Sequence, residues 1–157
     1  MQEKTPAQLR AAAEERLRAP GAERLRLVQQ RDEVDEELRP LVVAAKRAGI
    51  TYRRLHEVSG VPPITVGRWA RRTEPDAGVT YDEGQLQELG RKAGRISCAG
   101  SRSRRTACGP LVADAIRNEV PVRKITAAYG DLPDHLPGVV AEGEVIMVSR
   151  ARARTHA

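Results

Sequence analysis

The chain has 157 residues, a formal net charge of +6 and 40% apolar residues, but no Phe, one Trp and three Tyr. Domains usually run to about 100–150 residues, which leaves room for one ordinary domain or two small ones and excludes a large active-site domain with accessories. With so few aromatic residues any core is aliphatic and thin, and thin cores are marginal alone, so a homodimer is expected.

Thr5-Pro6-Ala7-Gln8 has the form of a capping box with proline at the first helical position, and Pro20-Gly21 is expected to end the helix it opens. A second helical run spans about Ala22 to Ala48, with Leu27, Val34, Leu38, Leu41, Val42 and Ala45 spaced for one face. Pro40 predicts a kink or a fresh start within it. These N-terminal helices, residues 1–37, are candidates for dimerisation.

The charge then becomes segregated. Arg39, Lys46, Arg47, Arg53, Arg54, Arg68, Arg71 and Arg72 are opposed in their segment only by Glu57. From Glu74 to Glu88 the sign is acidic, and from Arg91 to Arg105 it is basic again. A basic block concentrates potential that suits a polyanion such as a DNA backbone.

Within the first basic block, Thr51 is placed to cap one short helix and Gly60 to end it in a left-handed conformation. Pro62 and Pro63 suit the first turn of the next. Leu55, Val61, Val66 and Trp69 fall at inward positions. Residues 38–72 resemble the helix-turn-helix of bacterial regulators, resolvases and transposases, whose usual string is Leu-Ala-x-x-x-Gly-Val followed by Val and Trp. The sequence departs at His56, which stands where that family has alanine at the crossing of the two helices.

The resemblance implies that the second helix enters the major groove of double-stranded DNA. Pro63, Ile64, Gly67 and Arg68 are then its outward residues, and Thr65 faces either groove or backbone. Arg68 is the candidate reader of guanine, and Pro63 and Ile64 can touch only thymine methyls. Arg53, Arg54, Arg71 and Arg72 are candidate phosphate contacts that set affinity and register.

Within the wider region, taken as residues 38–93, Thr80-Tyr81-Asp82-Glu83 has a second capping-box form, and Gly90 is placed to stop the short helix that follows. Residues 94–109, rich in Ser, Arg and Gly, read as a flexible basic linker, with a DNA-following arm over Arg91 to Arg105 as the alternative. An ungapped offset of 70 pairs Pro40-Leu41-Val42 with Pro110-Leu111-Val112, Ala45 with Ala115, Arg47 with Arg117, Arg53 with Arg123 and Gly60 with Gly130, which suggests a duplication. In the second copy Asp134-His135-Leu136-Pro137-Gly138-Val139 replaces the reading helix, where aspartate repels phosphate and Pro137-Gly138 is expected to interrupt a helix.

Residues 120–150 also resemble the N-terminal domain of prevent-host-death type antitoxins. Val122-Arg123-Lys124, then Leu132, Leu136 and Val139, then Gly143 to Arg150 carry that likeness, although the next strand of that family is missing. Glu144 to Ser149 is apolar and β-branched enough for a short strand. The resemblance implies that residues 110–157 bind a protein partner, as an antitoxin or adaptor does.

The expected fold is therefore mainly α: N-terminal helices, a trihelical helix-turn-helix, a linker, and a small C-terminal α or α+β unit. No phosphate-binding loop, dinucleotide fingerprint, metalloprotease motif or nucleophile elbow is present, so no enzyme is expected, and no cofactor. Cys98, Cys108 and three scattered histidines give no zinc spacing, so no metal is expected either. The apolar stretches Leu41 to Ala45 and Val145 to Val148 fall far below the ~20 residues of a membrane span, and no secretory h-region stands at the start, so a cytoplasmic location is expected.

Overall fold

The computed structural model describes residues 4–74, 78–130 and 135–144, and over them the chain is mainly helical, with no strand among the described residues. The elements are α1 (Pro6–Arg47), α2 (Tyr52–Ser59), α3 (Pro63–Arg72), α4 (Glu83–Arg102), a π-helical segment (Ser103–Cys108), α5 (Gly109–Arg117), α6 (Val122–Tyr129) and a helical run, α7, over residues 136–144. Of the expected strand Glu144–Ser149, Glu144 is helical and the rest lies outside the described residues. The chain divides into two compact units, Gln29–Cys98 and the described parts of Met1–Val28 with Ala99–Ala157.

The capping box at the start of α1 is present: Thr5 N–H donates to Gln8 Oε1 at 2.9 Å, and Gln8 N–H to Thr5 Oγ1 at 3.3 Å. Neither Pro20-Gly21 nor Pro40 ends the helix, which runs for 42 residues. A proline inside a helix costs ~3 kcal/mol. Here the flanking turns are held by burial instead of propensity, with Ala13, Leu17 and Gly21 buried around the first proline and Leu38, Leu41 and Val42 around the second.

In the Gln29–Cys98 unit, Val34, Leu38, Val42 and Ala45 of α1 pack with Leu55 and Val58 of α2, Val61, Val66 and Trp69 of α3, and Leu86, Leu89 and Ala93 of α4. Leu38, Leu55 and Leu86 are fully buried, each worth about 1.5–3 kcal/mol relative to exposure. α1 ends at Gly49 (φ 88°), where Ile50 N–H reaches back to Ala45 O at 3.1 Å. Thr51 caps α2 by accepting from Arg54 N–H, and Gly60 (φ 70°) ends it with its N–H on His56 O at 2.8 Å.

α4 begins two residues later than the expected box, because Asp82 is the cap: its Oδ1 accepts from Gln85 N–H at 3.0 Å. Gly90 does not stop α4. A Cβ on Gly90 would lie 2.6 Å from the Ser59 carbonyl oxygen, so the glycine lets α4 cross the end of α2 at backbone distance. Residues 94–109, expected as a flexible linker, are helical throughout. Ile96 packs on one core, Cys108 is buried in the other, and Gly109 lies against the backbone of Gly143, so packing overrides a poor helix-forming composition.

The second unit repeats the first. Its core joins Ala13 and Leu17 of α1 to Cys108, Val112, Ala115, Val120, Ile125, Tyr129, Leu136 and Val139. α2 and α6 are both eight residues long and start 70 residues apart. Gly60 and Gly130 share the left-handed conformation, as do Gly49 and Glu119. Val120 N–H reaches Ala115 O at 2.9 Å as Ile50 does Ala45, and Gly130 N–H reaches Thr126 O at 2.7 Å as Gly60 does His56. Pro137-Gly138 does not interrupt α7, because Pro137 falls in its first turn, where no N–H is needed.

Ahead of the π-helical segment the register changes by one. Leu17 corresponds to Leu86 and Gly21 to Gly90, 69 residues apart, whereas Leu38 corresponds to Cys108, 70 apart. A π turn takes in one residue more than an α turn, so Ser103–Cys108 marks the site of a single extra residue in the second copy.

Two predictions follow from the crossing at Gly90 and from cysteine burial. Gly90→Ala is expected to cost ~1–3 kcal/mol in urea denaturation, while Gly94→Ala, with open space at its Cβ, gains up to ~1 kcal/mol from helix propensity. Exposed Cys98 is expected to react with a thiol reagent under native conditions, and Cys108, buried and with its thiol pushed up by desolvation, only on unfolding.

Candidate nucleic-acid interface

α3 carries no acid, and its sequence Pro-Ile-Thr-Val-Gly-Arg-Trp-Ala-Arg-Arg splits cleanly by face. Val66 and Trp69 are buried against α1 and α2, which turns Pro63, Ile64 and Arg68 outward, with Ile64 81% exposed. Arg71 and Arg72 are exposed in the last turn, where their charge also complements the helix dipole. Among the described residues, Arg68, Arg71 and Arg72 have no ion-pair partner. An exposed arginine with no carboxylate partner keeps all its donors for an incoming anion.

Gly67 is not the outward position the sequence suggested. It is buried, because Arg71 and Tyr52 fold over it: a Cβ there would meet the Arg71 guanidinium at 3.6 Å and the Tyr52 hydroxyl at 3.9 Å. Thr65, which the sequence left open, is half-buried and lines a cleft with Arg31, Asp35, Arg39 and Arg68.

Arg53 and Arg54 are exposed but engaged. Arg53 Nε donates to Glu57 Oε1 at 3.0 Å, and Arg54 pairs with Glu83 at the start of α4. Glu83 is held below the usual carboxylate range by the Tyr81 hydroxyl, which donates at 2.7 Å, and by Arg54; the Arg53 hydrogen bond lowers Glu57 in the same way. These two arginines therefore start with acidic partners that a phosphate must displace.

His56 does not sit buried at the helix crossing. It is exposed, with Nδ1 3.1 Å from the Val61 carbonyl, so its N–H ties the turn together. The buried polar group at that place is Ser59, whose hydroxyl donates to Leu55 O at 2.6 Å and accepts from Val61 N–H at 3.2 Å.

Sequence reasoning missed Tyr52 as part of this surface. Its exposed ring lies 4.4 Å below Lys46 Nζ, which puts an aromatic face, an ammonium and the Arg71 guanidinium on one side of the turn. The pairing joins residues on two helices across Gly49, so no spacing rule reveals it. The Arg53–Glu57 pair, four apart on one helix, was within reach of such a rule. Arg47 donates to the Thr73 carbonyl at 3.1 Å and fixes the end of α3.

Among the described residues no cluster of His, Cys, Asp and Glu is placed to hold a metal ion, and no helix is long and apolar enough to cross a membrane.

No family model matches this chain, and no solved structure does. It is 39% identical over 71 residues to Protein KorB of Streptomyces lividans, a match that covers 45% of this chain and 89% of that protein. The matched length is close to the spacing between the two copies described above, so that protein has about the length of one copy. At this identity and coverage, the chain belongs to the family of Protein KorB.

Proposed function

We propose that this chain is a sequence-selective regulator of transcription that binds double-stranded DNA through α2 and α3, in the cytoplasm, by binding alone and with no cofactor. The observation that carries the reading is the outer face of α3: an exposed apolar Ile64 beside three exposed arginines with no ion-pair partner among the described residues, on a helix positioned by two neighbours at a tight turn. Arg68 reads a base edge and Arg71 and Arg72 hold phosphates, while Ile64 and Pro63 contact thymine methyls. Lys46 and Tyr52 extend the same surface along the backbone. Kinship with Protein KorB, a chain of about one copy's length, supports the view that a single such unit is a functional element.

A second reading, an antitoxin or adaptor, is favoured by one observation. Ile116 and Val122 are exposed beside Leu136, Pro137 and Val140 in an apolar groove of the second unit, which suits an apolar protein segment.

Selection of bound duplexes from a random pool tests the first reading. The intact chain is expected to enrich a motif containing guanine, and Arg68→Ala to lose ~1–3 kcal/mol of preference at that position. Arg71→Ala and Arg72→Ala should weaken binding to all sequences alike and each lower the salt slope by about 0.9. Arg53→Ala should cost less than either, because Glu57 already occupies its guanidinium. No enrichment, or an unchanged motif in Arg68→Ala, would contradict the reading.

A further inference from the structure

We propose that the chain is a dimer folded into one polypeptide, in which two copies exchange the first halves of their long helices and only the first copy reads DNA, so that one monomeric chain occupies one half-site. The exchange stands on geometry alone; the single-reader part rests on the DNA-binding reading above.

The exchange is visible in which helix closes each unit. α2 and α3 of the first copy are covered by Leu86, Leu89 and Ala93 of α4, which opens the second copy. α6 and α7 of the second copy are covered by Ala13 and Leu17 of α1, which opens the first. The same two contacts fix both crossings. Gly90 approaches the Ser59 carbonyl, and Gly21 approaches the Ala128 carbonyl, each where a Cβ would collide with backbone. Arg54 pairs with Glu83, and at the corresponding positions Lys124 pairs with Glu14 at 2.8 Å. Neither copy covers its own core with the first half of its own long helix; each supplies the other's. Among the described residues no closing helix is left over to recruit a second chain.

The two reading faces have diverged. Arg68, Arg71 and Arg72 correspond to Gly138, Ala141 and Glu142, and the Glu142 carboxylate lies 3.5 Å from Arg104. The exposed aromatic Tyr52 corresponds to the aliphatic Val122. A face that has exchanged three arginines for a paired carboxylate and two small residues offers phosphate none of the cations of its counterpart. Paired helix-turn-helix readers take two half-sites about 10 bp apart and so select two-fold symmetric sequences. A chain with one reader takes a motif with no such symmetry.

The test combines sedimentation equilibrium of the full chain, alone and with duplexes from the random-pool selection, with binding by Arg71→Ala and by the counterpart pair Arg53→Ala and Arg123→Ala. The free chain is expected as a monomer, with one chain per duplex, a motif lacking two-fold symmetry, and affinity lowered several-fold by Arg71→Ala, less by Arg53→Ala and not measurably by Arg123→Ala. A dimer of the free chain overturns the exchange. A palindromic motif bound by two chains, or equal losses in Arg53→Ala and Arg123→Ala, overturns the single reader while leaving DNA binding intact. If no duplex is enriched, the DNA-binding reading and the single reader fall together, and the sedimentation of the free chain still decides the exchange.

Discussion

Much of this structure depends on a backbone-to-backbone crossing between a long helix and the end of a short one. Gly90 brings α4 so close to the last turn of α2 that a methyl group would sit 2.6 Å from the Ser59 carbonyl oxygen. At that separation Leu86, Leu89 and Ala93 join the aliphatic core built by Leu38, Leu55 and Val66. With no Phe and a single Trp, the core has little bulk with which to fill a wider gap. Close approach by glycine does here what large side chains do elsewhere.

The same crossing shapes the charge of the candidate interface. It sets Glu83 at the first turn of α4 against Arg54, while Glu57 takes Arg53, so two of the basic residues nearest the turn are partnered. Among the described residues the arginines of α3 form no ion pair, although Arg68 shares a cleft with Asp35. An otherwise mixed surface is thereby sorted, with free guanidinium groups gathered on α3 beside Lys46 and Tyr52. The basic character of the block is a property of the sequence; which of its members are free to meet an anion is a property of the fold.

Much of the unit around α2 and α3 was legible in the sequence because its signals are local. Thr51, Gly60 and Pro63 act within a turn or two of the chain, the spacing of Leu55, Val66 and Trp69 marks the inward face, and each sits where its type predicts. Most of the mistaken helix ends have one cause. Pro20-Gly21, Gly90 and the Ser, Arg and Gly of residues 94–109 all read as breaks by propensity, but lie within helices stabilised by partners distant in the chain. Glycine that permits a helix crossing and glycine that ends a helix look alike in a sequence. The offset of 70 was readable, whereas the shift to 69 before the π-helical segment needed the burial pattern of Leu17 and Leu86. Gly67 was misplaced for a partly related reason: it is covered by Tyr52 of α2 as well as by Arg71 one turn along its own helix.

The most direct measurement is a map of backbone amide shifts on titrating the intact chain with a duplex that it selects. The account predicts that the largest changes fall in residues 63–72 and at Lys46 and Tyr52, with residues 122–129 and 136–144 little affected. Equal changes over both copies, or changes confined to the apolar groove beside Val122 and Val140, would contradict it.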